Sequence, residues 1–221
     1  KANAIESIAT PAFYAAMTRS TALALFCFGR WRVRGAERTP SKGPLIVISN
    51  HLNSIDPPLL AASVPRRIRF MAKQELFDSR AGIFIRLYGA FPVRRFEADL
   101  RALRTALSIL ENGEAIGMFP EGHRSSGAGM IEAYPGAALL ALQSGAPVLP
   151  VAIAGSERVR LPGALLSSPS INVTVGEPFV LPRDGRIDST AVKQASIRMM
   201  RSIAELLPDR YRGVYTYGEE Q

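Results

Sequence analysis

The chain has 221 residues, enough for one sizeable core, and at 47% hydrophobic and 21% charged it is ordinary for a globular protein, with no low-complexity tract or internal repeat. With 27 Lys and Arg against 19 Asp and Glu the formal charge is +8, a balance that suits phosphate-bearing or anionic partners (lipid head groups, acidic carrier proteins, nucleotides or nucleic acid) and equally general solubility. Cys27 is the single cysteine, which excludes an internal disulfide framework and a Cys-x-x-Cys metal pair and fits a reducing compartment.

Residues 4–30 read as helical, with a break or a start near Pro11. Within them TALALFCFG (21–29) comes nearest to a membrane span, but it is far shorter than the roughly 20 apolar residues a span needs. Arg19 precedes it and Arg30, Trp31, Arg32 and Arg34 follow. That pattern suits an interfacial helix, with the aromatic at head-group depth and guanidiniums on anionic lipid, and equally a helix packed on the domain. The chain starts at Lys1 rather than Met, so removal of an upstream targeting or membrane segment is an open expectation.

GPLIVISN (43–50) is a continuous apolar run rich in β-branched residues, hence a buried strand. Asp56 then stands before Pro57 and Pro58, the arrangement of an N-cap residue followed by proline in the first turn of a helix over PPLLAASV. A strand at 67–72, a short amphipathic helix at 81–89 and a brief strand at 90–93 come next. EADLRALRTALSILENG is the clearest helix, with Leu100, Leu103, Leu107 and Leu110 at helical spacing and Gly113 as its stop. AIGMFP (115–120), PVLPVAIAG and SINVTVGEP read as strands, and PGAALLALQSGA and TAVKQASIRMMRSIAELL as helices. The alternation predicts a single α/β domain with a mostly parallel or mixed central sheet flanked by helices.

Ligands of such folds gather beyond the carboxyl ends of strands, and both histidines of the chain, His51 and His123, fall there. In NHLNSID, His51 ends a strand and Asp56 opens the next helix, so the loop between them can fold back and let the carboxylate fix the imidazole tautomer, the logic of a catalytic dyad. A plain capping aspartate beside an unrelated histidine fits the same spacing. FPEGHRSSG places Glu121, His123, Arg124, Ser125 and Ser126 in a glycine-flanked loop, where guanidinium, hydroxyls and backbone N–H groups make an oxyanion or phosphate cradle. GAFPVRR adds Arg94 and Arg95 after another strand, as ligand contacts or as solvated charges.

Taken in order, NHLNSID, GAFPVRR, FPEGHRSSG and VLPVAIAG resemble the four blocks of the glycerophospholipid acyltransferase family, of the bacterial 1-acyl-sn-glycerol-3-phosphate acyltransferase type, over residues 43–155. The resemblance implies that His51 is the general base and that Asp56 orients it. It assigns Arg94, Glu121, Gly122, Arg124 and Ser125 to the acceptor's phosphate and glycerol, and VLPVAIAG, with Pro150 at its centre, to the acyl-donor side or the core. The substrates it implies are a lysophospholipid acceptor, yielding phosphatidic acid, and an acyl thioester donor, acyl-CoA or acyl-carrier protein. Neither a metal nor a bound cofactor is implied. The expected location is the cytoplasmic face of the cell membrane, with residues 1–34 an N-terminal helical, interfacial segment and 35–221 the catalytic domain. Two residues depart from the family pattern near the acceptor: His123 stands where threonine is common, and Tyr134 and Pro135 stand where a lysine is frequent.

For the acyl chain, AGIFIRLYGAF offers Ile83, Phe84, Leu87 and Tyr88 as groove walls, or as simple core. A catalytically silent lipid-binding module would share the charge but has no need of a base at His51. Nucleic-acid binding is disfavoured, since no helix carries a basic stripe with interleaved aromatics. Two histidines in separate loops are also a poor ligand set for a metallohydrolase.

Overall fold

The apolar run PLIVIS becomes strand β2 (Leu45–Ser49), whose five residues are all buried because the strand is covered on both faces. The computed structural model describes residues 2–28, 30–80, 82–94, 99–125, 129–159, 170–182 and 185–216. The helix α1 (Ala2–Phe28) leads into β1 (Arg30–Arg34), followed by β2, α2 (Asp56–Ser63), β3 (Ile68–Lys73), α3 (Gln74–Phe77), α4 (Gly82–Leu87) and β4 (Phe91–Val93). Then come α5 (Leu100–Glu111), β5 (Ala115–Met118), α6 (Gly136–Ser144), β6 (Val148–Ala154), β7 (Ser170–Val175) and α7 (Ser189–Ala204). The seven strands form one mixed sheet in the order β1-β7-β6-β2-β5-β3-β4, in which β6 and β7 are antiparallel and every other pair is parallel.

Alternate residues of β2 feed two cores. Leu45 and Val47 pack with Tyr14 of α1 and Leu59 and Leu60 of α2. Ile46 and Ile48 pack with Ala106 and Ile109 of α5, Leu140 of α6 and Met199 and Ile203 of α7. Each buried aliphatic side chain contributes roughly 1.5–3 kcal/mol, so the double-sided burial of β2 makes it the rigid element on which the following loop is mounted.

Three local expectations are corrected. α1 runs through Pro11 without breaking, since a proline removes one intrahelical hydrogen bond while the flanking turns continue. The helical segment expected through residue 34 ends at Phe28, and RWRVR forms β1, an outer strand whose Trp31 and Val33 pack on the α1 and α2 core while Arg30, Arg32 and Arg34 are exposed. On α5 the leucine stripe is rotated: Ala102, Ala106, Ile109 and Leu110 are buried and Leu100 is 60% exposed. Asp99 sets that rotation by capping the helix, accepting from the backbone N–H of Arg101 and Ala102.

Candidate active site

β2, β5 and β6 are parallel neighbours, so their carboxyl ends share one edge of the sheet, and the loops that follow them meet there. Asn50, directly after β2, continues the ladder with its side chain: Nδ2 donates to the Ile153 carbonyl and Oδ1 accepts from the Ile153 N–H, each at 2.8 Å. Asn53 grips the turn beyond β6, its Nδ2 donating to the carbonyls of Ser156 and Val159 at 2.9 Å. These two asparagines pin both ends of the 50–53 loop. They stand in the same quoted stretch as the histidine, where only the amide type and its place at a strand end hinted at the role.

His51 sits between them, 9% exposed, with Nδ1 2.9 Å from Asp56 Oδ2. Asp56 is the first residue of α2 and not its cap, which is Ile55. Its carboxylate turns back into the loop instead, where Oδ2 also accepts from the backbone N–H of Leu52 at 2.6 Å and Asn53 at 2.7 Å. Oδ1 is buried and has no hydrogen-bond partner among the described residues. Because an ionised carboxylate only accepts, Nδ1 carries the imidazole proton and Nε2 is left as the basic nitrogen.

The imidazole lies against Phe119, centroids 4.3 Å apart and 26° from parallel. Behind Phe119 a file of rings runs to α1: Phe70 at 6.4 Å, Tyr88 6.3 Å beyond it, and Tyr14 a further 4.9 Å away. Gly117 of β5 makes room for that file, since a Cβ there would come within 2.5 Å of the Phe70 ring and 2.7 Å of Ile68. Of the groove candidates on α4 and after it, Ile83 and Phe84 are exposed, whereas Tyr88 belongs to this file.

Glu121 takes a position that the sequence reading did not expect. It is fully buried, and its two oxygens accept from the backbone N–H of His51 at 2.9 Å and of Ile131 at 3.1 Å. Expected among the acceptor contacts, it braces the His51 loop from behind through these two hydrogen bonds. Burial pushes its carboxyl up to about 7; the N–H donors of His51 and Ile131 pull the other way, and the Asp56 charge adds to the rise. Ser125 completes the brace, its N–H and hydroxyl both donating to the His51 carbonyl at 2.8 and 3.2 Å.

The remaining expected residues lie outside this hydrogen-bonded unit. Gly122 has φ +69°, and a Cβ there would lie 2.7 Å from the Tyr134 ring. His123 and Arg124 are exposed, His123 with its ring edge-on to Tyr134 at 6.5 Å. Arg94 is exposed just past β4, on the far side of β3 from β5, and its N–H donates to Asp99 Oδ2 at 2.9 Å. Arg95 and Ser126 lie outside the described residues. The structure thus joins His51, Asp56, Glu121 and Ser125 in one hydrogen-bonded unit, with Arg124 on the adjoining loop and Arg94 farther along the same edge. Among the described residues no three His, Cys, Asp or Glu side chains converge as a metal-ligand set.

A family model described as Acyltransferase matches residues 30–154, over half of the chain. The chain belongs to the acyltransferase family. This acyltransferase is 30% identical to the 1-acyl-sn-glycerol-3-phosphate acyltransferase of Bacillus subtilis, over 68% of its own length and 74% of that protein's. The enzyme of the same name from Streptococcus pneumoniae is 27% identical, with 73% of this chain and 60% of that protein aligned. The alpha form from Homo sapiens is 32% identical over 55% of this chain and 44% of its own. The fold matches the crystal structure of the 1-acyl-sn-glycerophosphate acyltransferase PlsC from Thermotoga maritima, with a TM-score of 0.67, 24% identity and coverage of 93% of this chain and 83% of that one.

Proposed function

We propose that this acyltransferase moves a fatty acyl group from a thioester, acyl-CoA or acyl-carrier protein, to the free hydroxyl of 1-acylglycerol-3-phosphate, giving phosphatidic acid. The observation that carries the reading is the His51–Asp56 pair at 2.9 Å, fixed at the sheet edge with Nε2 as its basic nitrogen. A hydroxyl is a poor nucleophile near neutral pH, and a positioned imidazole accelerates its attack by roughly 10²–10⁴-fold. The names of the aligned relatives support the acceptor class.

In this reading Nε2 takes the proton of the acceptor hydroxyl as its oxygen bonds to the thioester carbon. The carbonyl electron pair moves onto oxygen, and on collapse the C–S bond breaks. The proton held on Nε2 then passes to the leaving sulfur, so that ester and free thiol are the products. Asp56 stabilises the imidazolium between the two transfers. Arg94 and Arg124 meet the acceptor's phosphate, for which the forked guanidinium is well matched, with Gly122 and Ser125 shaping the loop around the glycerol. Glu121 acts through the His51 backbone. Neither metal nor organic cofactor enters any step.

The enzyme works from the cytoplasmic face of the membrane as a peripheral protein. Contact with a membrane surface is supported by Leu23 and Phe26 of α1 and Ile83 and Phe84 of α4, all more than half exposed, on two helices that touch through Phe13 and Phe84. Among the described residues no helix is long and apolar enough to cross a membrane.

Purified protein given lysophosphatidate and acyl-CoA or acyl-carrier protein is expected to release free thiol, and His51→Ala to abolish the release. Near-normal turnover in His51→Ala would remove the base assignment. Activity lost on EDTA treatment would reintroduce a metal. His123 beside Tyr134 at the expected acceptor loop favours a second reading, in which another lysolipid or a glycolipid is the acceptor. A panel of lysolipids assayed against one thioester donor separates the two.

A further inference from the structure

A second concave site lies on the same sheet, away from the dyad. In register, Arg32 of β1 stands beside Asn172 of β7, which stands beside Ala154 of β6; Arg34 stands beside Thr174, and Thr174 beside Ala152. These two rows lie on the sheet face that α5, α6 and α7 cover elsewhere, and the small alanines keep the floor low. The chain just past α7, ending at Arg210, forms one wall, and the turn after β6 brings in Arg158. The result is a cavity of about 450 Å³ whose lining among the described residues includes Arg32, Arg34, Arg158 and Arg210 and no carboxylate.

Charge on an outer strand has an ordinary purpose, to discourage edge-to-edge pairing, and Arg32 and Arg34 serve it. Arg158 and Arg210 are on other segments and have no such duty, yet they converge on the same space. Neither Arg32 nor Arg34 has an ion-pair partner among the described residues. The guanidinium of Arg210 lies over the Tyr211 ring at 4.8 Å. Glu157 is the nearby counter-charge, 3.5 Å from Arg158 and accepting from the Tyr211 hydroxyl at 2.8 Å. Asp209, next to Arg210 in the chain, pairs with Arg212 at 2.9 Å, outside the lining, so the four lining guanidiniums leave the groove positive. Guanidiniums spread over a concavity of this size, with the Asn172 and Thr174 side chains between them, match a ligand with several phosphates on a hydrogen-bonding body. The groove is tied to the His51 loop through the backbone: Arg158 lies in the turn that Asn53 of that loop grips on both sides, at Ser156 and Val159.

We propose that this groove holds the phosphorylated adenosine of a coenzyme A thioester, with Arg32, Arg34, Arg158 and Arg210 on its phosphates and the pantetheine arm directed past the Asn53-gripped turn toward His51. The assignment rests on the acyltransfer reading above. A concave pocket suits a nucleotide better than the acidic helix of a carrier protein, which would dock on an open surface.

The test is calorimetric titration of the purified full chain with coenzyme A and with dephospho-coenzyme A, paired with steady-state kinetics. Coenzyme A should bind more tightly than the dephospho form, and Arg32→Ala with Arg34→Ala should weaken it by roughly tenfold or more, the effect of losing charge-assisted hydrogen bonds. In turnover the same variant should raise the KM for acyl-CoA by a similar factor, with kcat and the lysophosphatidate KM unchanged and the melting temperature preserved. Absent or unaltered coenzyme A binding would overturn the proposal. So would a rise confined to the lysophosphatidate KM, or one seen only with acyl-carrier protein as donor. Arginine-dependent coenzyme A binding without any acyl transfer would instead reject the acyltransfer reading and keep the site. Acyl-CoA turnover indifferent to the arginines would do the reverse.

Discussion

His51 and Asp56 form a unit whose behaviour follows from one oxygen. Oδ2 of Asp56 holds the imidazole and two backbone N–H groups together, so Asp56→Asn would replace a charged acceptor by a neutral one and lose its support for the imidazolium. Its kcat is expected to fall by at least roughly tenfold with a much smaller change in acceptor KM; a loss confined to KM would count against the orienting role. Glu121 makes a different prediction. Its carboxyl, ordinarily near 4.5, is raised to about 7 by burial, so the folded state binds the extra proton between those values. The sign of the linkage is then fixed: its contribution to stability is greatest below pH 4.5, falls as pH rises toward 7, and is level above that. Replacing it by the neutral Glu121→Gln should therefore let the variant gain on the wild type by roughly 3 kcal/mol across the window, as denaturant unfolding at a series of pH values would read. A constant difference across pH would show that folded and unfolded chains hold this proton alike, so that burial does not raise the Glu121 carboxyl.

At the scale of elements, the site is an outcome of parallel pairing. β2, flanked by β5 and β6, delivers three loops to one edge, and Asn50 extends the β6 pairing by one side chain so that His51 starts from a fixed backbone. The file of rings behind His51 depends on the bare backbone of Gly117. Gly117→Ala puts a methyl carbon 2.5 Å from Phe70, and since Phe70 is buried it cannot move aside freely. The expected cost is about 1–3 kcal/mol of stability. It should come with reduced turnover, since Phe70 backs Phe119 and Phe119 backs the imidazole. Unchanged melting temperature and kcat together would remove Gly117 from the support of the site.

For the whole molecule, the N-terminal helix is part of the core on one side and a candidate membrane surface on the other. Tyr14 is buried and its hydroxyl accepts from the Ile68 N–H at 3.1 Å, whereas Phe26 is 81% exposed. Deleting residues 1–34 would strip β1 from the sheet as well as the helix, so loss of membrane binding by that route would report unfolding. Point changes separate the two faces. Phe26→Asp with Phe84→Asp should reduce flotation with anionic liposomes severalfold while leaving the melting temperature close to the wild type, each aromatic contributing roughly 1–3 kcal/mol of transfer energy. Flotation that is undiminished would place the membrane contact elsewhere.

What the sequence could determine by itself was what local pattern encodes. The buried strands at 45–49, 115–118 and 148–154 follow from continuous, largely apolar runs, and a histidine and an aspartate set into the break after one of them mark the candidate dyad. RWRVR was read as the charged flank of the helix, its arginines suggesting head groups; only the pairing of β1 with β7 made it a strand. Asp56 looked like a cap until the loop's fold-back drew its carboxylate away from the helix. Glu121, in a polar glycine-flanked loop, had no local reason to be buried. The arrival of β5 beside β2 put it beneath His51, and removal from water, a property of the surroundings and not of the residue, set its proton affinity and its role.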